Sequence, residues 1–141
     1  MNDYWFSASP KERLALWRNF RKSLAGESLQ RSLEMTSNWW SFAPISANVF
    51  DAYKPESWPN PWDLIWKGDY DENSIALGMA YTLHLGDVAK CEVAMVQDKK
   101  DNIARLVAIV GDQYVLNYKF NTVEKIDVLS NCDILHKKTL N

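Results

Sequence analysis

The chain is short of the residues from which most catalytic and metal sites are built. Its 141 residues include only two histidines and two cysteines. Cys91 and Cys132 are too few for a disulfide framework and too far apart for a zinc motif; buried free thiols are expected, with a single bridge as the alternative. No apolar run approaches the ~20 residues that cross a bilayer, so no membrane partner is expected. The segment Met1-Asn2-Asp3-Tyr4-Trp5 lacks the basic and apolar regions of a secretory signal, and the expected compartment is a reducing interior. A net charge of −2 offers no general attraction to nucleic acid. The local exception is residues 11–22, where Lys11, Arg13, Arg18, Arg21 and Lys22 face one glutamate; such a cluster is expected to be the solvated face of a helix. No repeat or low-complexity stretch is present.

Aromatic residues, by contrast, are plentiful. Seven Trp, six Tyr and five Phe fall mostly in the first half, where rings of this size serve either a core or an interface. The length suits one domain, 1–141, with one core. Ser9-Pro10-Lys11-Glu12 is a helix start, with Ser9 as cap, Pro10 in the first turn and Glu12 closing a capping box. Leu14, Leu16, Trp17, Phe20 and Leu24 follow at helical spacing, and Gly26 is the stop. A second short helix carries Leu29 and Leu33 and completes an N-terminal helical part, 1–40. Residues 41–66 form a connection rich in Pro and Trp; Pro44, Pro55, Pro59 and Pro61 exclude regular helix or central strand there. The third part, 67–141, opens with the strongest helical pattern, 73–85. Asp71 or Asn73 caps it, Ile75, Met79 and Leu83 form its apolar face, and Gly86 ends it. Small residues at 76, 78 and 80 let another element approach closely. The pattern then alternates. Residues 91–96 read as a strand, 99–102 as a turn, and 105–110 with Gly111-Asp112 and 114–118 as a hairpin, with a weaker strand at 126–129. Helices followed by antiparallel strands make the class α+β.

One segment carries a family signal. Gly68-Asp69-Tyr70-Asp71-Glu72-Asn73-Ser74-Ile75-Ala76-Leu77 resembles the Gly-Asp-Cys-Glu-Asp-aromatic-Ala-Ile-Ala start of the core helix in transglutaminase-like cysteine proteinases. Upstream, Trp58-Pro59-Asn60-Pro61-Trp62-Asp63-Leu64 is similar to that family's Trp-x-Thr-Pro-x-Glu. Downstream, Arg105-Leu106-Val107-Ala108-Ile109-Val110 is similar to His-Ala-Val-Leu-x-Val, and Tyr114-Val115-Leu116-Asn117 to Tyr-Val-Leu-Asp. The resemblance spans roughly residues 55–120. It implies a papain-like/transglutaminase-like core, a helix packed on a small antiparallel sheet, with N-terminal helices added.

In the family a cysteine at the helix start is the nucleophile, a histidine on the next strand is its base, and a carboxylate orients the histidine. The resemblance puts Tyr70, Arg105 and Asn117 at those positions. A phenol titrates near ~10 and is a weak nucleophile. A guanidinium stays protonated and cannot serve as a base. We therefore expect a pseudoenzyme with no cofactor, in which Tyr70 and Arg105 stack as a cation–π pair. The acidic cluster of Asp69, Asp71 and Glu72 with nearby Asp63 is expected to cap and solvate a helix rather than bind metal. Cys91 reads as a core strand residue. His84 reads as a helix-end residue near terminal carbonyls, and His136 as part of a solvated basic tail with Lys137 and Lys138.

The expected function is that of a structural or protein-binding module. Trp39, Trp40, Trp58, Trp62 and Trp66 are candidate contacts with other protein chains. The short form with Trp-Pro-Asn-Pro-Trp-Asp also resembles chains of tailed bacteriophages, which implies a virion component of head, neck or tail, located in the virion or the host cytoplasm. Two alternatives remain: a cysteine peptidase or amidase with a displaced nucleophile, and a ligand-binding module using the vacant cleft.

Overall fold

A computed structural model of the chain describes residues 5–46 and 50–141. Most of the opening segment read above for a secretory signal, and residues 47–49 of the proline-rich connection, lie outside the described residues. Among those described, four α-helices precede or cover a five-stranded antiparallel sheet, the α+β order expected from the sequence.

Helix α1 (Pro10–Ser23) starts as its sequence dictates. Ser9 Oγ accepts the Glu12 N–H at 3.3 Å and donates to the Glu12 carboxylate at 3.1 Å. The serine hydroxyl thus satisfies a first-turn N–H, while Glu12 pairs with that hydroxyl rather than with the Ser9 N–H that the expected capping box uses. The buried face of α1 holds Trp17 and Phe20, and Leu24 is buried at its C-cap. Arg13 corrects the expectation of a solvated basic face. It is 8% exposed, and its guanidinium donates to the carbonyls of Ile65, Ala8 and Trp66. A guanidinium can satisfy three carbonyls at once because it carries five donors in a rigid fork.

Helix α2 (Leu29–Trp40), capped by Ser28, runs through the Trp39-Trp40 pair. The proline-rich connection is less irregular than expected, since it contains helix α3 (Pro61–Lys67). Asn60 caps that helix by accepting the Asp63 N–H at 2.8 Å. Pro61 sits in the first turn, where a missing N–H costs nothing, so proline here starts a helix rather than excluding one.

Helix α4 (Glu72–Leu85) is the central element. Asp71 and Ser74 cap it reciprocally, and at its end Gly86 stays in the αR region while Asp87 takes the left-handed conformation (φ 58). Ala76, Gly78 and Ala80 are buried, as the small-residue spacing suggested. A Cβ on Gly78 would lie 2.4 Å from the Trp40 ring, so only glycine lets the indole lie against the helix backbone. Thr82, one turn on, accepts the indole N–H of both Trp17 and Trp40 at 2.9 Å and donates to the Gly78 carbonyl at 2.7 Å.

Strands β1 (Cys91–Asp98), β2 (Ala104–Val110), β3 (Tyr114–Leu116), β4 (Val123–Lys125) and β5 (Cys132–Thr139) lie in the order β4-β3-β2-β1-β5. The β2–β3 hairpin turns through Gly111 and Asp112, with φ of 59 and 56. One sheet face (Val93, Met95, Leu106, Ala108, Val110, Leu116) joins the core under α4. The other (Ala94, Val96, Val107, Ile109, Val115) is covered by a 3₁₀ segment, Ile126–Asn131, through Leu129. Two corrections follow. Residues 126–129 are that 3₁₀ cover and not a strand. The basic tail around His136 is strand β5, pairing with β1 along its whole length except at a bulge opposite Met95/Val96. Exposed edge strands are marked by lysine, which hid β5 from a reading based on alternation.

Candidate functional site

Gly68 closes α3 with φ 71, and a Cβ there would meet the Arg13 guanidinium at 2.8 Å. The chain then passes Tyr70 before entering α4. Tyr70 is fully buried. Its carbonyl accepts the N–H of Ser46 at 2.7 Å and its backbone bridges Ile45 in parallel. Trp5 and Trp40 meet its ring edge to face at 5.7 and 5.6 Å. Its hydroxyl has no hydrogen-bond partner among the described residues. Burial raises the phenol's pKa well above its ordinary value, Asp69 adds to the rise, and Arg13 opposes it. A phenolate here would be a buried charge without a partner, so the group stays neutral.

Arg105 lies elsewhere than the sequence suggested. Its guanidinium stands over the ring of Tyr118 at 5.5 Å, donates to the Tyr118 carbonyl at 2.8 Å and lies 3.8 Å from Asp101. The expected Tyr70–Arg105 stack is therefore replaced by two separate aromatic contacts, Tyr70 with tryptophans and Arg105 with Tyr118. The reason is that Tyr70 turns down into the core while Arg105 remains at the sheet margin.

Asn117, just beyond β3, takes φ 68. Its amide donates to the carbonyls of Glu72 at 2.8 Å and Leu106 at 3.3 Å. Asn73 Oδ1, in the first turn of α4, accepts the Leu106 N–H at 3.0 Å. Strand β3 ends opposite Ala108, so Leu106 lacks a strand neighbour on that side. Two asparagine side chains take that neighbour's place and tie the start of α4 to β2. The sequence offered Asn73 only as a helix cap; its reach to β2 needs tertiary contact to be seen.

The other reactive groups are dispersed. Cys91 and Cys132 are free thiols. Cys91 is buried, its Sγ donates to the Ala89 carbonyl at 3.5 Å, and burial pushes its pKa up to about 12. Cys132 is partly exposed; burial first and Asp98 second raise its pKa. Tyr118 Oη donates to Asp98 at 2.9 Å. That bond, above burial, raises the phenol to about 12. Asp98 is lowered, chiefly by the Lys100 N–H and then by Tyr118. His84 lies in the last turn of α4 and His136 in β5.

Of the five tryptophans proposed as contacts, three are corrected. Trp39, Trp40 and Trp58 are 3%, 0% and 8% exposed and belong to the core. Trp39 stacks on Trp5 at 3.9 Å and on Phe20 at 5.0 Å, while Trp40 packs against α4. Two adjacent indoles cannot share one helix face, but α2 is covered on two sides. Trp62 and Trp66 are 52% and 53% exposed.

A cleft of about 480 Å³ opens beside this site. Trp40, Ile75 and Met79 form its floor, Asn73, Arg105 and Asn117 one wall, and Ile45, Ile103 and Phe120 its rim.

No protein-family model and no curated protein matches the sequence. Solved structures of Legionella pneumophila LapG are similar in fold. One has 17% identity and a TM-score of 0.72 over 94% of this chain and 76% of LapG. The calcium-bound form gives 15% and 0.73 over 95% and 77%. The EGTA-treated form gives 17% and 0.72 over 94% and 74%. Among the described residues of this chain, no three His, Cys, Asp or Glu side chains gather as a bound metal needs. Asp71, in the acidic cluster, caps α4. The architecture, a core helix on a five-stranded antiparallel sheet with added N-terminal helices, is the transglutaminase-like α+β fold of LapG.

Proposed function

We propose that this chain is a non-catalytic module of the transglutaminase-like fold that works by binding other protein chains, as a component of a larger assembly such as a phage virion. The observation that carries this reading is the state of Tyr70. The residue preceding the capped core helix, where the family resemblance puts a cysteine, is a neutral phenol enclosed by Trp5 and Trp40. Thiolate chemistry needs an accessible group with a lowered pKa, and Tyr70 is the opposite in both respects. Arg105 cannot take a proton, and Asn117 spends its amide on two backbone carbonyls. Each of the three positions thus serves the fold. The half-exposed Trp62 and Trp66 supply the kind of aromatic surface that anchors protein interfaces.

The test is to isolate the protein from its native source, identify the chains that accompany it, and assay the same material for hydrolysis of peptide and amide substrates. Stable recovery with other protein chains and no iodoacetamide-sensitive hydrolysis is expected. A lone monomer with thiol-dependent hydrolytic activity overturns the proposal and restores the displaced-nucleophile enzyme.

A further inference from the structure

The sheet has a notch beside β2. That strand pairs with β1 from Ala104 to Val110, but with β3 only from Ala108 to Val110. Extending the register Ala108↔Leu116 would set Tyr118 opposite Leu106 and Phe120 opposite Ala104. The chain turns away before it gets there. Asn117 takes the left-handed conformation, the Tyr118 hydroxyl donates to Asp98, and Phe120 stands 71% exposed. Along a strand, the backbone groups of alternate residues point to opposite neighbours. The Ile103 carbonyl accepts the Asp98 N–H on the β1 side. The Leu106 N–H and carbonyl point the other way, to Asn73 and Asn117. Ala104 therefore turns its own N–H and carbonyl in the direction of Leu106, into the cleft that it lines. Neither group has a partner among the described residues. Two asparagine amides imitate a strand neighbour at Leu106, and nothing does so at Ala104.

We propose that this notch takes an extended segment of a partner protein, which pairs with Ala104 as an added strand. The open groups set the chemistry of the occupant. A donor and an acceptor on one strand residue are both met by a single residue of an extended chain. Side chains of such a chain alternate in direction, so every second one lies over Ile75 and Met79 of α4, between rim residues Ile103 and Phe120. The occupant is therefore an extended polypeptide with an apolar side chain at the paired position. In strand addition the main-chain bonds supply affinity and the pockets for alternate side chains supply specificity. Tyr70 does not line the cleft, so the contact uses the backbone of β2 and not the residue at the helix start. The inference rests on the reading of this chain as a protein-binding module and names where, and by what bonds, it binds.

The experiment screens the full chain against a display library of random peptides of about eight residues, long enough to span an open edge of roughly 10 Å. Enriched peptides are titrated by calorimetry, and each is remade with one amide N-methylated at a time. N-methylation deletes a backbone donor and leaves every side chain in place. At alternate positions facing β2 it should weaken binding about tenfold or more, the cost of one lost backbone bond, and at the positions between them by less than about threefold. Saturating peptide should also slow hydrogen exchange at the Ala104 N–H. Ala104→Pro removes that N–H without touching a bond to β1, and proline is tolerated as the first residue of a strand. This variant should bind the same peptides about tenfold more weakly or worse. If it fails to fold, the N-methyl series and the exchange measurement on wild type still decide. A library without a saturable binder overturns the proposal. So do binders indifferent to N-methylation, or binders that leave exchange at Ala104 unchanged. Failure here leaves the non-catalytic reading standing, because that reading falls on a lone monomer with thiol-dependent hydrolysis, which peptide titration does not sense.

Discussion

Thr82→Val is the most incisive test of how this core is held. The Thr82 hydroxyl accepts two indole N–H groups, from Trp17 on α1 and Trp40 on α2, each at 2.9 Å. It is fully buried, so no water replaces it. Valine keeps the shape and removes only the acceptor. Two buried donors are then unpaired, at about 1–3 kcal/mol each, or roughly 2–6 kcal/mol together. Against a domain stability of about 5–15 kcal/mol that is a large fraction. For a chain of this length the melting temperature should fall by roughly 6–20 °C. Urea unfolding followed by far-UV circular dichroism gives the free-energy change directly. Thr82→Ser is the control: it keeps the hydroxyl, loses one methyl, and should cost about 1 kcal/mol. If valine is tolerated within about 0.5 kcal/mol, or if serine costs more than valine, the claim that the hydroxyl joins three helices is wrong.

Asn117 and the alkaline limb test the site. Asn117→Ala loses both carbonyl contacts and forces alanine to φ 68, which together cost about 2–4 kcal/mol. Asn117→Gly loses the contacts but not the conformation, so chemical denaturation should find it the more stable of the two; the reverse order would deny the left-handed strain. At high pH the buried thiol and phenol both act. The unfolded Cys91 thiol ionises from its ordinary value of 9.0, whereas the folded one holds its proton to about 12. The unfolded chain therefore binds fewer protons above pH 9, and stability falls as pH rises through the window from 9 to about 12. Tyr70, also raised by burial, steepens the fall above its ordinary 10.0. Denaturant titrations across this range should show the slope, with Cys91→Ala shallower than wild type; an unchanged slope would mean the thiol is not held neutral. In native protein at neutral pH, Cys132 should be alkylated before the buried Cys91, read by peptide mass spectrometry.

Two helix starts were legible because capping is local. Ser9 and Asp71 each satisfy N–H groups within three residues of themselves, and such contacts depend on nothing distant. Helix α3 was missed for a related reason: prolines at 55, 59 and 61 argue against helix until the last is seen to occupy a first turn. Strand β5 was missed because an edge strand has one paired side, and its sequence is written as much for solvent as for the sheet.

The sequence by itself determined the α+β class and the capped core helix, and its family resemblance singled out Tyr70, Arg105 and Asn117. Tertiary structure alone decided what those residues do. Tyr70 turned inward to Trp5 and Trp40, Arg105 went to Tyr118, and Asn117 joined Asn73 around Leu106. It also separated three buried tryptophans from the two left in solvent. The physical reason is range. Capping and periodicity act over a few residues, so one strand of text records them. Which indole is covered, and which amide finds a lone backbone carbonyl, depends on residues dozens of positions away that only the folded chain brings within reach.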